Sequence, residues 1–155
     1  MRLLRLPLAL AALLAFGACK HPLDPGEKII KSTLKCTQPG TSTNSIVCDV
    51  PIPASATKLR VTLVSHDCDA SGDVISVVAS TTVTLTNDAC YAPVNQTVEV
   101  SGPFTSSTVA LQVTAETIKN PPELRIGGSA SPWTIYFEDG GDQDFNDAVL
   151  KVEAL

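Results

Sequence analysis

Apolar and polar residues alternate with a period of two through most of this chain, and a pattern of that kind is incompatible with helices. From Lys58 to Ser65 the apolar set is Leu59, Val61 and Leu63, against Lys58, Arg60 and Thr62. From Thr108 to Ala115 it is Val109, Leu111 and Val113, against Thr108, Gln112 and Thr114. Strict alternation puts one face of a strand in a core and the other in water. The stretch Asp73 to Thr86 would be roughly 43 Å long if extended, so it is expected to turn near Ala79, Ser80 and Thr81. Further strands are predicted around Ile30 to Cys36, Ile46 to Val50, Gln96 to Ser101, Trp133 to Phe137 and Ala148 to Ala154. Pro51/Pro53, Asn87-Asp88, Gly102-Pro103, Pro121-Pro122 and Gly127-Gly128 punctuate them. About eight strands so separated predict an all-β fold, a single antiparallel β-sandwich with jelly-roll or Greek-key connections. An open barrel is the alternative.

The chain begins differently. Arg2 and Arg5 precede an apolar run from Leu6 to Phe16, and Gly17 and Ala18 stand directly before Cys19. The run is shorter than the roughly 20 residues of a spanning helix and follows the charged, apolar, small-residue order of a secretory signal. The small residues before a cysteine resemble the bacterial lipobox, in which the cysteine is acylated and becomes the first mature residue. The expected division is therefore a lipoprotein signal peptide over 1–18, a lipid-anchored tether over 19–27 and one domain over 28–155. The resemblance assigns Cys19 to lipid and gives the protein a membrane partner. Lys20 after the anchor is compatible with sorting to the outer membrane, so the expected location is the cell envelope. Loss of Arg2 and Arg5 would make the formal charge of −5 two units more negative. Nucleic acid is not expected as a partner, because the remaining Lys and Arg are scattered and form no basic face.

Four cysteines remain: Cys36, Cys48, Cys68 and Cys90. An even number in an exported chain predicts disulfides, and sequence alone allows three pairings. Strand parity favours Cys36 with Cys48 across a hairpin turning at Pro39-Gly40, which leaves Cys68 with Cys90. Aromatic residues make up only 5% of the chain, so the core must be mostly Val, Leu and Ile. Disulfides and a bound ion are then expected to matter for stability more than usual.

The densest chemistry lies near the C-terminus. Glu138, Asp139, Asp142, Asp144 and Asp147 crowd around Gly140 and Gly141, with Asn146 among them. Carboxylates this close repel one another, and relief comes from full solvation or from a hard divalent ion. Read from Asp142, the sequence matches an EF-hand loop at its first, third, fifth and twelfth positions, but Asp147 stands where that loop turns on glycine. Leu150, Val152 and Ala154 alternate as a strand where an EF-hand would have its second helix. The chemistry is kept and the EF-hand fold rejected. Calcium accepts irregular oxygen cages better than magnesium, and without nearby cysteine or histidine zinc is disfavoured.

The string F-E-D-G-G-D-Q-D-F-N-D-A-V-L-K-V resembles the close of a family of secreted and surface bacterial β-domains of unknown function. That family ends approximately in F-E-D, a Gly-rich turn and D-x-D-[FY]-N-D-[LV]-V. The resemblance covers only the last 20 or so residues. It implies calcium as the bound ion, Glu138, Asp139, Asp142, Asp144, Asn146 and Asp147 as candidate ligands, and Phe145 as a buried wedge fixing the loop against the sandwich.

Other polar groups are less informative. The loop Ser65 to Asp73 gathers His66, Asp67, Asp69 and Asp73 around Cys68; it reads as a polar loop pinned by a disulfide, with a second metal site as the rival reading. There is no G-x-S-x-G elbow and no H-E-x-x-H pair, and no catalytic role is assigned. Trp133 shares the parity of Ile135 and Phe137 and is expected in the core, while Tyr136 faces out. Together these features predict a lipid-anchored, calcium-binding, non-catalytic envelope module acting in surface binding or adhesion, with a surface glycan or protein as its ligand. A structural lipoprotein with a solvated acidic turn and a calcium-dependent carbohydrate binder are the alternatives.

Overall fold

The computed structural model describes residues 32–37, 44–67, 71–116, 122–139 and 142–155. Ten strands are present among them: β1 (Lys35–Thr37), β2 (Ser45–Pro51), β3 (Lys58–His66), β4 (Val74–Val78), β5 (Thr82–Thr86), β6 (Thr97–Ser101), β7 (Thr108–Thr114), β8 (Glu123–Gly127), β9 (Trp133–Glu138) and β10 (Ala148–Ala154). They form two five-stranded antiparallel sheets, β1-β2-β7-β4-β5 and β6-β3-β10-β9-β8. The fold is the all-β sandwich expected from alternation, with ten strands rather than about eight. Asp73–Thr86 does divide, into the hairpin β4–β5. The strand missing from the sequence reading is β8, a sheet-edge strand whose burial alternates only weakly between Pro122 and Gly128. The predicted signal peptide, tether and lipidated Cys19 lie outside the described residues.

Packing follows the alternation closely. Ile46 and Val50 of β2, Ile75 and Val77 of β4, and Val109, Leu111 and Val113 of β7 supply one inner face. Leu59, Val61 and Leu63 of β3, Ile135 and Phe137 of β9, and Leu150 and Val152 of β10 supply the other. Each such side chain, fully buried, stabilises the fold by roughly 1.5–3 kcal/mol. Trp133 is buried as expected and is not available to stack on a ligand.

Cys36 and Cys48 face each other across the β1–β2 ladder and are joined by a disulfide. Cys90 is also disulfide-bonded; Cys68, its expected partner, lies outside the described residues. The Cys36–Cys48 bridge closes a short loop onto an edge strand of only three residues, which has little packing of its own. Replacing both cysteines by serine is expected to lower the unfolding free energy by about 3 kcal/mol, the chain-entropy value for a loop of this size. Urea denaturation of the two proteins measures it, and an unchanged midpoint would show that β1 contributes nothing to the cooperative unit.

The sandwich has two distinct poles. At one, the loops β2–β3 and β6–β7 meet, and Leu155 exchanges hydrogen bonds with Lys58. At the other, β3 ends, β4 begins, β9 ends and β10 begins. This second pole holds the acidic loop.

Candidate metal centre

β9 and β10 are neighbours in register from Trp133↔Val152 to Phe137↔Ala148, so the segment joining them starts and ends at one point of the sheet rim. Glu138 and Asp139 leave β9 there, and Asp147 enters β10. Strand parity would set Glu138 on the outer, half-exposed face with Thr134 and Tyr136, yet it is 1% exposed. The loop folds back over it: the Phe145 amide donates to Glu138 Oε2 at 3.0 Å, and the Phe145 ring is buried beneath the Arg125 guanidinium, 3.6 Å from its centroid. Phe145 is thus buried against β8. Arg125 belongs to β8, whose weak alternation leaves no mark in the sequence of a strand beside the loop.

Between these anchors the chain makes two successive side-chain-capped turns. The Asp144 amide donates to Asp142 Oδ1 at 3.4 Å, and the Asn146 amide donates to Asp144 Oδ1 at 3.2 Å. Gln143 (φ 63°) and Phe145 (φ 60°) both adopt left-handed backbone, which is uncommon for residues other than glycine and persists only where the surroundings enforce it. The Asn146 side-chain amide donates to Asp144 Oδ2 at 2.7 Å, so Asn146 orients a carboxylate. Closing the loop, the Asp139 amide donates to Asp147 Oδ2 at 2.7 Å.

The outcome, among the described residues, is two groups of three carboxylates, Glu138 with Asp142 and Asp144, and Glu138 with Asp139 and Asp147; within each, one oxygen per residue lies within 4.8 Å of the others. Either group could hold a metal ion. Glu138 belongs to both. Five of the six sequence-designated residues therefore meet as acidic groups, and the sixth, Asn146, sits among them through Asp144.

Electrostatics favour neutralisation of the cluster. Burial, then the nearby charges of Asp139, Glu138 and Asp144, push the Asp147 carboxyl up to about 7, although the Asp139 amide opposes the shift. Asp144 is raised by desolvation and by Asp142 and Glu138. Donors that are all oxygen, charged and mutually repelling suit a hard cation rather than a thiophilic one.

The β3–β4 loop comes to the same place. The Asp67 amide donates to the Asp147 carbonyl at 3.3 Å, and His66 is registered opposite Ala148. Asp73, at the start of β4, is fully buried; its Oδ1 accepts the Glu116 amide at 3.2 Å, while its Oδ2 has no hydrogen-bond partner. Burial first, then Asp139, raise its carboxyl to about 7. Gly72 positions it: at φ 81° and with the Glu116 side chain 2.8 Å from where a Cβ would sit, no larger residue fits without displacement. The sequence reading separated the two acidic segments; the sandwich brings them to one pole. Cys68 and Asp69 lie outside the described residues. A scan against protein-family models gave no match to this chain, and a search of curated proteins gave none either.

Proposed function

We propose that this protein is a lipid-anchored, calcium-binding, non-catalytic module of the cell envelope that acts in surface binding or adhesion. What carries the calcium reading is the convergence of buried Glu138 with Asp139, Asp142, Asp144 and Asp147 on a loop held by its own backbone turns. An ion of calcium's size and tolerance takes 6–8 oxygens at irregular angles, and carboxylates supplied by two strand ends and a bent loop are irregular. Affinity in the ~10⁻⁴ to 10⁻³ M range is expected, as for modules that work where calcium is abundant. The ion would make the pole rigid, and a rigid pole on a tethered domain suits it to holding a glycan or protein ligand.

A groove of about 810 Å³ lies at the opposite pole between the loops around Ile52 to Thr57 and Gly102 to Ser107. Its lining is apolar or hydroxylic and offers no group for general acid–base work. The anchoring half of the proposal rests on the Leu6 to Cys19 sequence and on the Lys20 to Glu27 tether, which reaches at most roughly 28 Å. Cys19→Ala is expected to move the protein from the membrane pellet to the soluble fraction on cell fractionation; retention in the pellet would overturn the anchor. For the ion, the test is thermal melting in calcium, in magnesium and in chelator, beside an Asp142→Ala/Asp144→Ala variant. Identical melting in all three conditions would leave a structural lipoprotein with a solvated acidic turn.

A further inference from the structure

Asp73 is not part of the motif and lies far from it in sequence, yet among the described residues it is the one carboxylate of this pole with a buried oxygen, Oδ2, that lacks a hydrogen-bond partner. An orphaned buried carboxylate oxygen costs several kcal/mol when charged, and a native fold retains one where something else supplies the partner. Strand parity says where that partner would sit. Asp73 continues the inward set of Ile75 and Val77 on β4, and Asp139 continues the inward set of Ile135 and Phe137 on β9. The two carboxylates therefore stand at strand ends of opposite sheets at this one pole. A bulge in β3 adds to this: Leu63 pairs with Leu150 and Ser65 with Val149, so Val64 is the extra residue and His66 is returned to the inward side beside Ala148. The Asp67 amide then bonds Asp147, tying the β3–β4 loop to the acidic loop.

We propose that this pole holds a second divalent cation, seated between the two sheets and ligated by Asp73 from the first sheet with Asp139 and Asp147 from the second, while Glu138 bridges it to the ion on Asp142 and Asp144. The inference rests on the calcium reading given above and extends it. Glu138 is the carboxylate common to both acidic groups, which is the arrangement a bridging ligand requires. Asp73 stands outside both groups but within the field of the like charges of Asp139 and Asp147. A cation between them reverses the sign of that interaction. The consequence is mechanical: the outer ion orders one loop, and the inner ion staples one sheet to the other.

Equilibrium dialysis of the purified protein against calcium chloride tests this directly. Two calcium ions per chain are expected for the unaltered protein. Asp73→Asn, which keeps the side-chain size and the oxygen that accepts the Glu116 amide, is expected to bind one, and Asp142→Asn/Asp144→Asn is also expected to bind one. The triple variant, Asp73→Asn/Asp142→Asn/Asp144→Asn, should bind none. Folding of Asp73→Asn is checked by its melting in chelator, expected at or above that of the parent because a buried charge has been removed. One ion per chain in the unaltered protein, or two in Asp73→Asn, would overturn the second position and leave the calcium reading standing. No calcium bound by the unaltered protein would overturn both.

Discussion

Calcium at about 10 mM is expected to raise the melting temperature of chelator-treated protein by roughly 10 °C, with magnesium giving much less. The size follows from mass action. A site of Kd near 10⁻⁴ M that exists only in the folded chain contributes about 2.7 kcal/mol at a hundredfold excess of ion. For a domain of this length, each kcal/mol moves the midpoint by roughly 3–6 °C. The unfolded chain offers no competing site, because Glu138 and Asp147 are brought together only by the β9–β10 ladder. Differential scanning calorimetry at several calcium concentrations measures the rise. Asp142→Ala/Asp144→Ala is expected to lose at least half of it, and Glu138→Gln, which alters both acidic groups, nearly all of it. A rise that survives Glu138→Gln would mean that calcium acts elsewhere on this acidic protein.

How much of this was legible in the sequence depends on the range of the interaction. Alternation placed Leu59, Val61, Leu63, Val109, Leu111 and Val113 in the core, and all are buried. Those assignments need only local information, since a strand with one dry face must repeat every second residue. The Cys36–Cys48 bridge was also legible, because parity across a single hairpin favours it among the three pairings. Strand β8 was not. At a sheet edge only one neighbour exists, and Glu123, Leu124, Arg125, Ile126 and Gly127 show little contrast in burial for a pattern to register. The acidic loop announced itself by composition, and its carboxylates do converge. Asp73 did not, although its parity with Ile75 and Val77 was visible. An aspartate following the inward set of a strand is ordinarily taken as the point where the strand leaves the core. Only the pairing of β4 with β7, and of β10 with both β3 and β9, brings Asp73 to the same pole as Asp147.

Without calcium, stability is expected to fall as pH rises from about 4 to about 7, the reverse of the usual acid denaturation. Asp73 and Asp147 are both pushed up to about 7 in the folded protein, principally by burial and then by neighbouring carboxylates. In the unfolded chain each returns to the ordinary aspartate value near 3.9. Between the two values the folded state holds protons that the unfolded state has lost, so the unfolding free energy declines with pH. The contribution is fully present below about pH 4, is lost progressively up to about pH 7, and is flat beyond. The two groups share part of one repulsion and water screens the loop side, so a combined loss of about 3 kcal/mol is expected rather than the sum of two full shifts. Glu99 works in the opposite direction: Arg60, then Lys58, lower its carboxyl, so its stabilisation is lost as pH falls. That pair network is on the surface and is weaker. Saturating calcium should abolish the decline, since the ion favours the deprotonated carboxylates, and the calcium-induced rise in melting temperature should shrink toward zero as pH approaches 4. Urea midpoints at pH 4.5, 6 and 8, with calcium and with chelator, measure both effects. Parallel pH profiles in the two conditions would separate the buried carboxylates from the ion and leave their burial without the function assigned to it.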